Sequence, residues 1–138
     1  MKLMAQLAFN GNCREAFELY EKVLKGKIKV MNSLGDTKDV PLPPGSNPSA
    51  PEHIRFAELD VGDCSLLGND LPADEFVPMQ GFNIALHTQS VADATRIFNA
   101  LAQGGEVTTP LTKVAWSPAF GQLKDRFGVP WLIQALVS

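Results

Sequence analysis

One structural unit is written twice in this chain. Asn12-Cys13-Arg14-Glu15-Ala16-Phe17-Glu18-Leu19-Tyr20 reads as an amphipathic helix entered from a strand, and Ser90-Val91-Ala92-Asp93-Ala94-Thr95-Arg96-Ile97-Phe98 reads the same way. At an offset of 78 residues Ala16 falls on Ala94, Tyr20 on Phe98 and Gly26 on Gly104. Each copy is a strand, a helix, a glycine and then more strands. Such a repeated module cannot bury its apolar face alone and must stack on something like itself. At 138 residues the chain suits one domain made of two half-domains. Module one is expected over about 1–70 and module two over about 81–138.

The first apolar run, Met1 to Phe9, is expected to be a strand. Asn12 is placed to cap the first helix with its own side chain, with Glu15 at the third position of a capping box. Cys13, Ala16, Phe17, Tyr20, Val23 and Leu24 form one apolar stripe, and Gly26 is the expected stop. Lys27 to Leu34 follows as a strand. The stretch 35–51 holds five prolines, a density that no regular element survives, so a long loop is expected there. His53 to Val61 alternates, with Ile54, Phe56 and Glu58 opposed to His53, Arg55, Ala57 and Leu59. Gly62-Asp63 turns the chain into Cys64 to Leu67.

The second module repeats the plan. Phe82 to Gln89 is a strand, and Ser90 caps the second helix. Glu106 to Thr109 is a short strand stopped by Pro110, and Ala119 to Lys124 is another. Asp125-Arg126-Phe127-Gly128 turns into the apolar strand from Trp131 to Val137. The fold class is α+β: two β-α-β-β-β modules whose greasy sheet faces pair to form an incomplete barrel.

Charge narrows the partners. The net charge is −3 and no basic run occurs, so nucleic acid and anionic membrane find no electrostatic footing. No segment has the length of a membrane span or the form of a signal peptide, and the expectation is cytoplasmic. Cys13 and Cys64 form no close pair; free thiols are the simpler reading.

The segments Phe9-Asn10-Gly11-Asn12-Cys13-Arg14-Glu15-Ala16-Phe17 with Tyr20, Asp125-Arg126-Phe127-Gly128-Val129-Pro130-Trp131, and Val91-Ala92-Asp93-Ala94 carry a family resemblance. The chain resembles the vicinal-oxygen-chelate superfamily, with its glyoxalase and bleomycin-resistance fold. More narrowly it is similar to the PhnB-like branch, associated by similarity with a demethylubiquinone methyltransferase. The resemblance covers nearly the whole chain. It implies a glyoxalase-like incomplete barrel, a homodimer, and a metal bound by one His, Glu or Gln on each of four strands. Those positions fall on Ala5 with Gln6 beside it, on Leu66 or Leu67, on Asn83 and near Leu132. None is a histidine or carboxylate, and leucine and alanine offer a metal nothing. No metal and no cofactor are therefore expected. No strand runs into a glycine-rich turn that could cradle a nucleotide cofactor.

Six residues remain as candidates for lining a ligand pocket. His53 stands at the mouth of the third strand, Glu58 is an odd charge within it, and Asp70 follows the fourth strand. Asn83 and His87 share one strand face, and Trp116 sits beside Ser117-Pro118 near the last strands. Most also have a plain structural explanation: a turn cap for Asp70, a strand residue at the mouth for His53, a surface or satisfied interior position for His87, the solvent face for Glu58, and core or dimer interface for Trp116. Cys13 reads as a buried thiol on the apolar stripe. The favoured function is binding of a small organic ligand in the concave cleft without the superfamily's metal. The alternatives are a metal-dependent lyase or dioxygenase type of enzyme with a displaced site at His53 with Asp70 or Glu58, and a structural homodimer with a vestigial cleft.

Overall fold

The computed structural model describes residues 1–37 and 50–136. The chain folds as two compact units, Met1–Val77 and Pro78–Ser138. The first contains β1 (Ala5–Phe9), α1 (Cys13–Leu24), β2 (Lys27–Ser33), a short 3-10 turn (Gly35–Thr37), β3 (Ile54–Val61) and β4 (Cys64–Asp70). The second contains β5 (Ile84–Thr88), α2 (Val91–Ala102), β6 (Glu106–Val114), β7 (Ser117–Lys124) and β8 (Pro130–Ala135). The expected loop at 35–51 lies largely outside the described residues.

The duplication is explicit in the topology. The first sheet has the order β1-β4-β3-β2 and the second β5-β8-β7-β6. In each, the outer pair is parallel (β1 with β4, β5 with β8) and the other pairs are antiparallel. Each sheet is therefore an open βαβββ sheet with a helix on one face. Even the exit from the last strand is repeated: Leu71 N–H donates to Phe9 O at 2.8 Å, and Leu136 N–H donates to Thr88 O at 2.9 Å.

Each core lies between helix and sheet. Cys13, Ala16, Phe17, Tyr20 and Val23 of α1 are buried, as are Ala94, Ile97, Phe98 and Leu101 of α2. The two cores exchange large for small. In the first sheet Gly68 of β4 pairs with Ala57 of β3, and a Cβ on Gly68 would stand 2.7 Å from the Phe17 ring. In the second, Ile133 pairs with Gly121 of β7, where a Cβ would meet Phe98 at 2.7 Å. A missing side chain on the sheet makes room for a helix aromatic in both, but on different strands. Interiors packed to crystal density leave no other solution for so large a ring.

Four local expectations are corrected. First, Asn12 does not cap α1: its side chain makes no capping hydrogen bond. Asp70, 57 residues away at the end of β4, accepts the Cys13 N–H at 3.0 Å. The second module caps locally, as read from sequence, with Ser90 Oγ accepting the Asp93 N–H at 3.1 Å. Second, the left-handed residue ending α1 is Lys25 (φ 55°), not Gly26. Gly26 is needed for another reason: a Cβ there would stand 2.5 Å from Asp60 O.

Third, β6 does not stop before Pro110 but runs through it to Val114. It is the edge strand of its sheet, where a missing N–H costs no ladder bond, and the register shifts around the proline. Fourth, the alternation in β3 breaks. Ile54 pairs with Ser33 and Phe56 with Asn32, so two β3 residues oppose one on β2. This bulge at Arg55 resets the side-chain parity, which is why Ile54, Ala57 and Leu59 are all buried.

The motif from Asp125 to Trp131 is a structural staple. Asp125 is buried and accepts the N–H groups of Phe127 (2.9 Å) and Val129 (3.0 Å) on one oxygen. Its other oxygen accepts the Trp131 indole N–H at 2.9 Å. The tight β7–β8 turn and the large buried indole are satisfied by one carboxylate.

Candidate functional site

Three of the candidate residues lie in the first unit. Asp70 spends both carboxylate oxygens on backbone: Oδ1 accepts Cys13 N–H at 3.0 Å and Oδ2 accepts Ile54 N–H at 2.7 Å. It ties the start of α1 to the start of β3. The His53 ring lies next to this tie, its Nε2 3.0 Å from where a Cβ on Gly11 would stand. Gly11, Asn12, Arg14, Glu15, Glu18, Glu52 and Asp70 line an open cavity of about 250 Å³ here. Cys13, between the lining residues Asn12 and Arg14 in sequence, is buried. Burial, and then the negative charge of Asp70, push its thiol far above the ordinary range, so it stays protonated and a poor nucleophile.

Glu58 is elsewhere, on the sheet face turned from α1. Alternation puts it in a row with Leu67 of β4 and Gln6 of β1. Lys29 Nζ lies 3.9 Å from Glu58 Oε2. Gln6 Nε2 donates to Asn69 Oδ1 at 3.1 Å on the same face.

The other three candidates lie in the second unit. Asn83 stands one residue before β5 and is exposed. His87 is within β5, and Trp116 is in the turn between β6 and β7. Here the structure assembles something that sequence reasoning missed. His87 pairs in register with Gln134 of β8, and Gln134 pairs with Phe120 of β7. Cross-strand partners share a face, so the three form one row on the side of the sheet turned from α2. His87 Nε2 and Gln134 Nε2 are 2.9 Å apart. The Trp116 ring packs edge-on against Phe120, with centroids 5.5 Å apart, and Trp116 remains 68% exposed.

The Gln134 Oε1 atom is buried with no hydrogen-bond partner. Which group donates in the contact between amide and imidazole depends on the tautomer of His87. The signal was present in the sequence, because Gln134 is the one polar residue within Trp131-Leu132-Ile133-Gln134-Ala135, a strand otherwise apolar.

The positions where the superfamily resemblance implies metal ligands do not fit a divalent ion. Gln6 is hydrogen-bonded to Asn69, and Leu66, Leu67 and Leu132 carry no donor atoms. Among the described residues no three of His, Cys, Asp and Glu come together as a metal site would require.

The family model described as 3-demethylubiquinone-9 3-methyltransferase matches residues 1–134. The chain belongs to this family. It is a PhnB-like member of the vicinal-oxygen-chelate superfamily. It is similar to protein PA1353 from Pseudomonas aeruginosa, at 36% identity over 100% of this chain and 99% of that one, with a TM-score of 0.89. It is 27% identical to the YjdN protein of Escherichia coli strain K12, over 99% of this chain and 96% of that protein. A PhnB protein from Bacillus cereus, 20% identical over 98% of this chain and 99% of that one, shares the fold with a TM-score of 0.81. Among the described residues no helix is long and apolar enough to cross a membrane.

Proposed function

We propose that this PhnB-like chain binds a small organic ligand on the face of its second sheet turned from α2, without the metal of its superfamily. The observation that carries the reading is the Trp116–Phe120 pair. A large aromatic ring 68% exposed beside a second ring, on a face that also carries His87 and Gln134, matches the usual make-up of a ligand site. Such sites are mostly apolar wall with a few polar groups to fix orientation. Trp131, the other tryptophan, is core, and its indole N–H is already taken by Asp125.

The family's description names a methyl transfer. Two features favour binding over that chemistry. The β1–α1 turn offers one glycine, Gly11, with the His53 ring against it, and the β5–α2 turn, Gln89-Ser90, offers none. Neither resembles the glycine-rich strand–helix turn that holds a nucleotide. The displaced metal site at His53 and Asp70 has little to recommend it, since both Asp70 oxygens already accept backbone N–H groups. The chain works as a homodimer in this proposal; exposed Val77, Phe82 and Leu136 supply apolar surface for association. Sedimentation or light scattering checks that assembly.

The binding reading is tested by a thermal-shift screen of small ring compounds against the wild-type chain and Trp116→Ala. A ligand that prefers the folded state raises the melting temperature. Compounds that stabilise the wild type and not the variant support the site. Compounds that stabilise both equally place binding somewhere else.

A further inference from the structure

We propose that the exposed Asn10-Gly11 pair is a site of spontaneous backbone modification, where the asparagine closes to a succinimide and reopens chiefly as isoaspartate, and that this change loosens α1 from its sheet.

The first ground is which asparagine is open to attack. The attacking group is the backbone N–H of the following residue, and Asn10 is the one asparagine followed by glycine. Both residues are exposed and lie in the turn between β1 and α1. Gly11 has φ 89°, and with no Cβ it can swing its N–H toward the Asn10 side chain without a clash. No hydrogen bond to the Gly11 N–H occurs among the described residues. The other asparagines are guarded. After Asn12 the Cys13 N–H donates to Asp70 Oδ1 at 3.0 Å, and after Asn32 the Ser33 N–H donates to Asp36 Oδ2 at 3.0 Å. Asn69 with Asp70 lies within β4, and Asn99 with Ala100 lies within α2. Asn83 is followed by the branched Ile84, and Asn47 by Pro48, which has no N–H.

The chemistry needs only water. The Gly11 nitrogen, giving up its proton, bonds to Asn10 Cγ. The Cγ–Nδ2 bond breaks, and that nitrogen leaves with the proton as ammonia. The five-membered imide then takes up one water. Opening at the side-chain carbonyl restores the ordinary backbone with an aspartate. Opening at the main-chain carbonyl sends the chain through Cγ as isoaspartate, with one extra methylene in the backbone. The main-chain carbonyl is the more electrophilic, because its α-carbon carries the amide nitrogen, so isoaspartate is the larger product.

The second ground is what the turn holds. Phe9 and Cys13 are joined by three residues, and both ends of that link are fastened to the end of β4. Phe9 O accepts the Leu71 N–H at 2.8 Å, and the Cys13 N–H donates to Asp70 Oδ1 at 3.0 Å. A further backbone atom inserted into so short a closed link cannot leave both fastenings in place. The tie of α1 to β3 through Asp70 is the one disturbed. The second module carries no such weakness, since its β5–α2 link is Gln89-Ser90.

The test is to age the full chain in warm, mildly alkaline water enriched in heavy oxygen, beside a synthetic peptide of residues 3–14. Mass spectrometry with electron-transfer fragmentation then reads each asparagine. The expected result is uptake of heavy oxygen at Asn10, chiefly as isoaspartate, with Asn12 in the same peptide fragment and Asn32 unchanged. The urea midpoint of the aged chain should fall below that of fresh protein. Asn10→Gln, aged alike, should keep its midpoint, and Asn10→Asp, which adds the charge without lengthening the backbone, should stay near the fresh wild type. An Asn10 that keeps its amide while the peptide converts overturns the site. Conversion at Asn10 with no fall in midpoint overturns the loosening of α1, and an equal fall in fresh Asn10→Asp assigns the loss to charge and overturns the backbone argument.

Discussion

Replacing Asp70 by alanine should cost far more than removing an ordinary helix cap. Two backbone amides lose a charged acceptor at once: Cys13 N–H at 3.0 Å and Ile54 N–H at 2.7 Å, both partly buried. A hydrogen bond to a charged group is worth about 1.5–3 kcal/mol. The carboxylate also faces the positive end of α1, which adds about 0.3–1 kcal/mol. The bonds are not independent, so the loss is about 3–5 kcal/mol, a large share of a domain's roughly 5–15 kcal/mol. Ser90→Ala in the second module is the built-in control, because it removes a local cap with one neutral bond at 3.1 Å, worth about 1 kcal/mol. Urea unfolding of both variants, followed by far-ultraviolet circular dichroism, gives the comparison. Asp70→Asn should fall between them, since it keeps one oxygen and turns an NH2 toward the other amide. If Asp70→Ala costs no more than Ser90→Ala, Asp70 does not hold α1 to β3, and its carboxylate is free for other work.

Three further outcomes follow from the same structure. Cys64 is exposed and Cys13 buried with its thiol pushed far up by desolvation, so a thiol reagent should label Cys64 alone in the native chain and both after unfolding. Because that shift is upward, the folded state holds the Cys13 proton longer than the unfolded one. Stability should fall as pH rises above the ordinary thiol range, and Cys13→Ala should flatten that fall in alkaline urea titrations. The carboxylates of Asp36, bonded to the Ser33 N–H and hydroxyl, and of Asp60, bonded to the Ser65 hydroxyl, are both held below their usual range. Their contribution is present above the ordinary carboxylate range and is lost on acidification through it; Asp36→Asn with Asp60→Asn should give a shallower acid limb of the stability–pH curve. Gly68→Ala should destabilise by about 1–3 kcal/mol in chemical unfolding, because the new methyl would stand 2.7 Å from the Phe17 ring; a neutral result would mean that α1 can shift outward.

How much of this was legible beforehand depended on how far each signal reached along the chain. The modules were readable because helix stripes and strand runs are local patterns, repeated at a fixed offset. The Ser90 cap was readable for the same reason, while the Asp70 cap was not, since it joins residues 57 positions apart and Asn12 offered a plausible local substitute. The β3 bulge and the passage of β6 through Pro110 depend on which strand lies at an edge, which periodicity does not encode. At the candidate site, Trp116 and His87 were picked out individually as unusual residue types. Gln134 was passed over because it sits inside an apolar strand, and its place between His87 and Phe120 shows only when β5, β8 and β7 lie side by side.

The two tryptophans provide the most direct check of the proposed ligand face, because each gives one indole N–H resonance and their settings differ. Trp131 is 1% exposed and bonded to Asp125, whereas Trp116 is 68% exposed against Phe120. Nitrogen-labelled protein should be titrated with small neutral ring compounds and, separately, with zinc and manganese. Saturable movement of the Trp116 resonance by a ring compound, with the Trp131 resonance still and no response to either ion, is the predicted result. A Trp116 resonance that ignores every ring compound while a metal ion binds one per chain would contradict it.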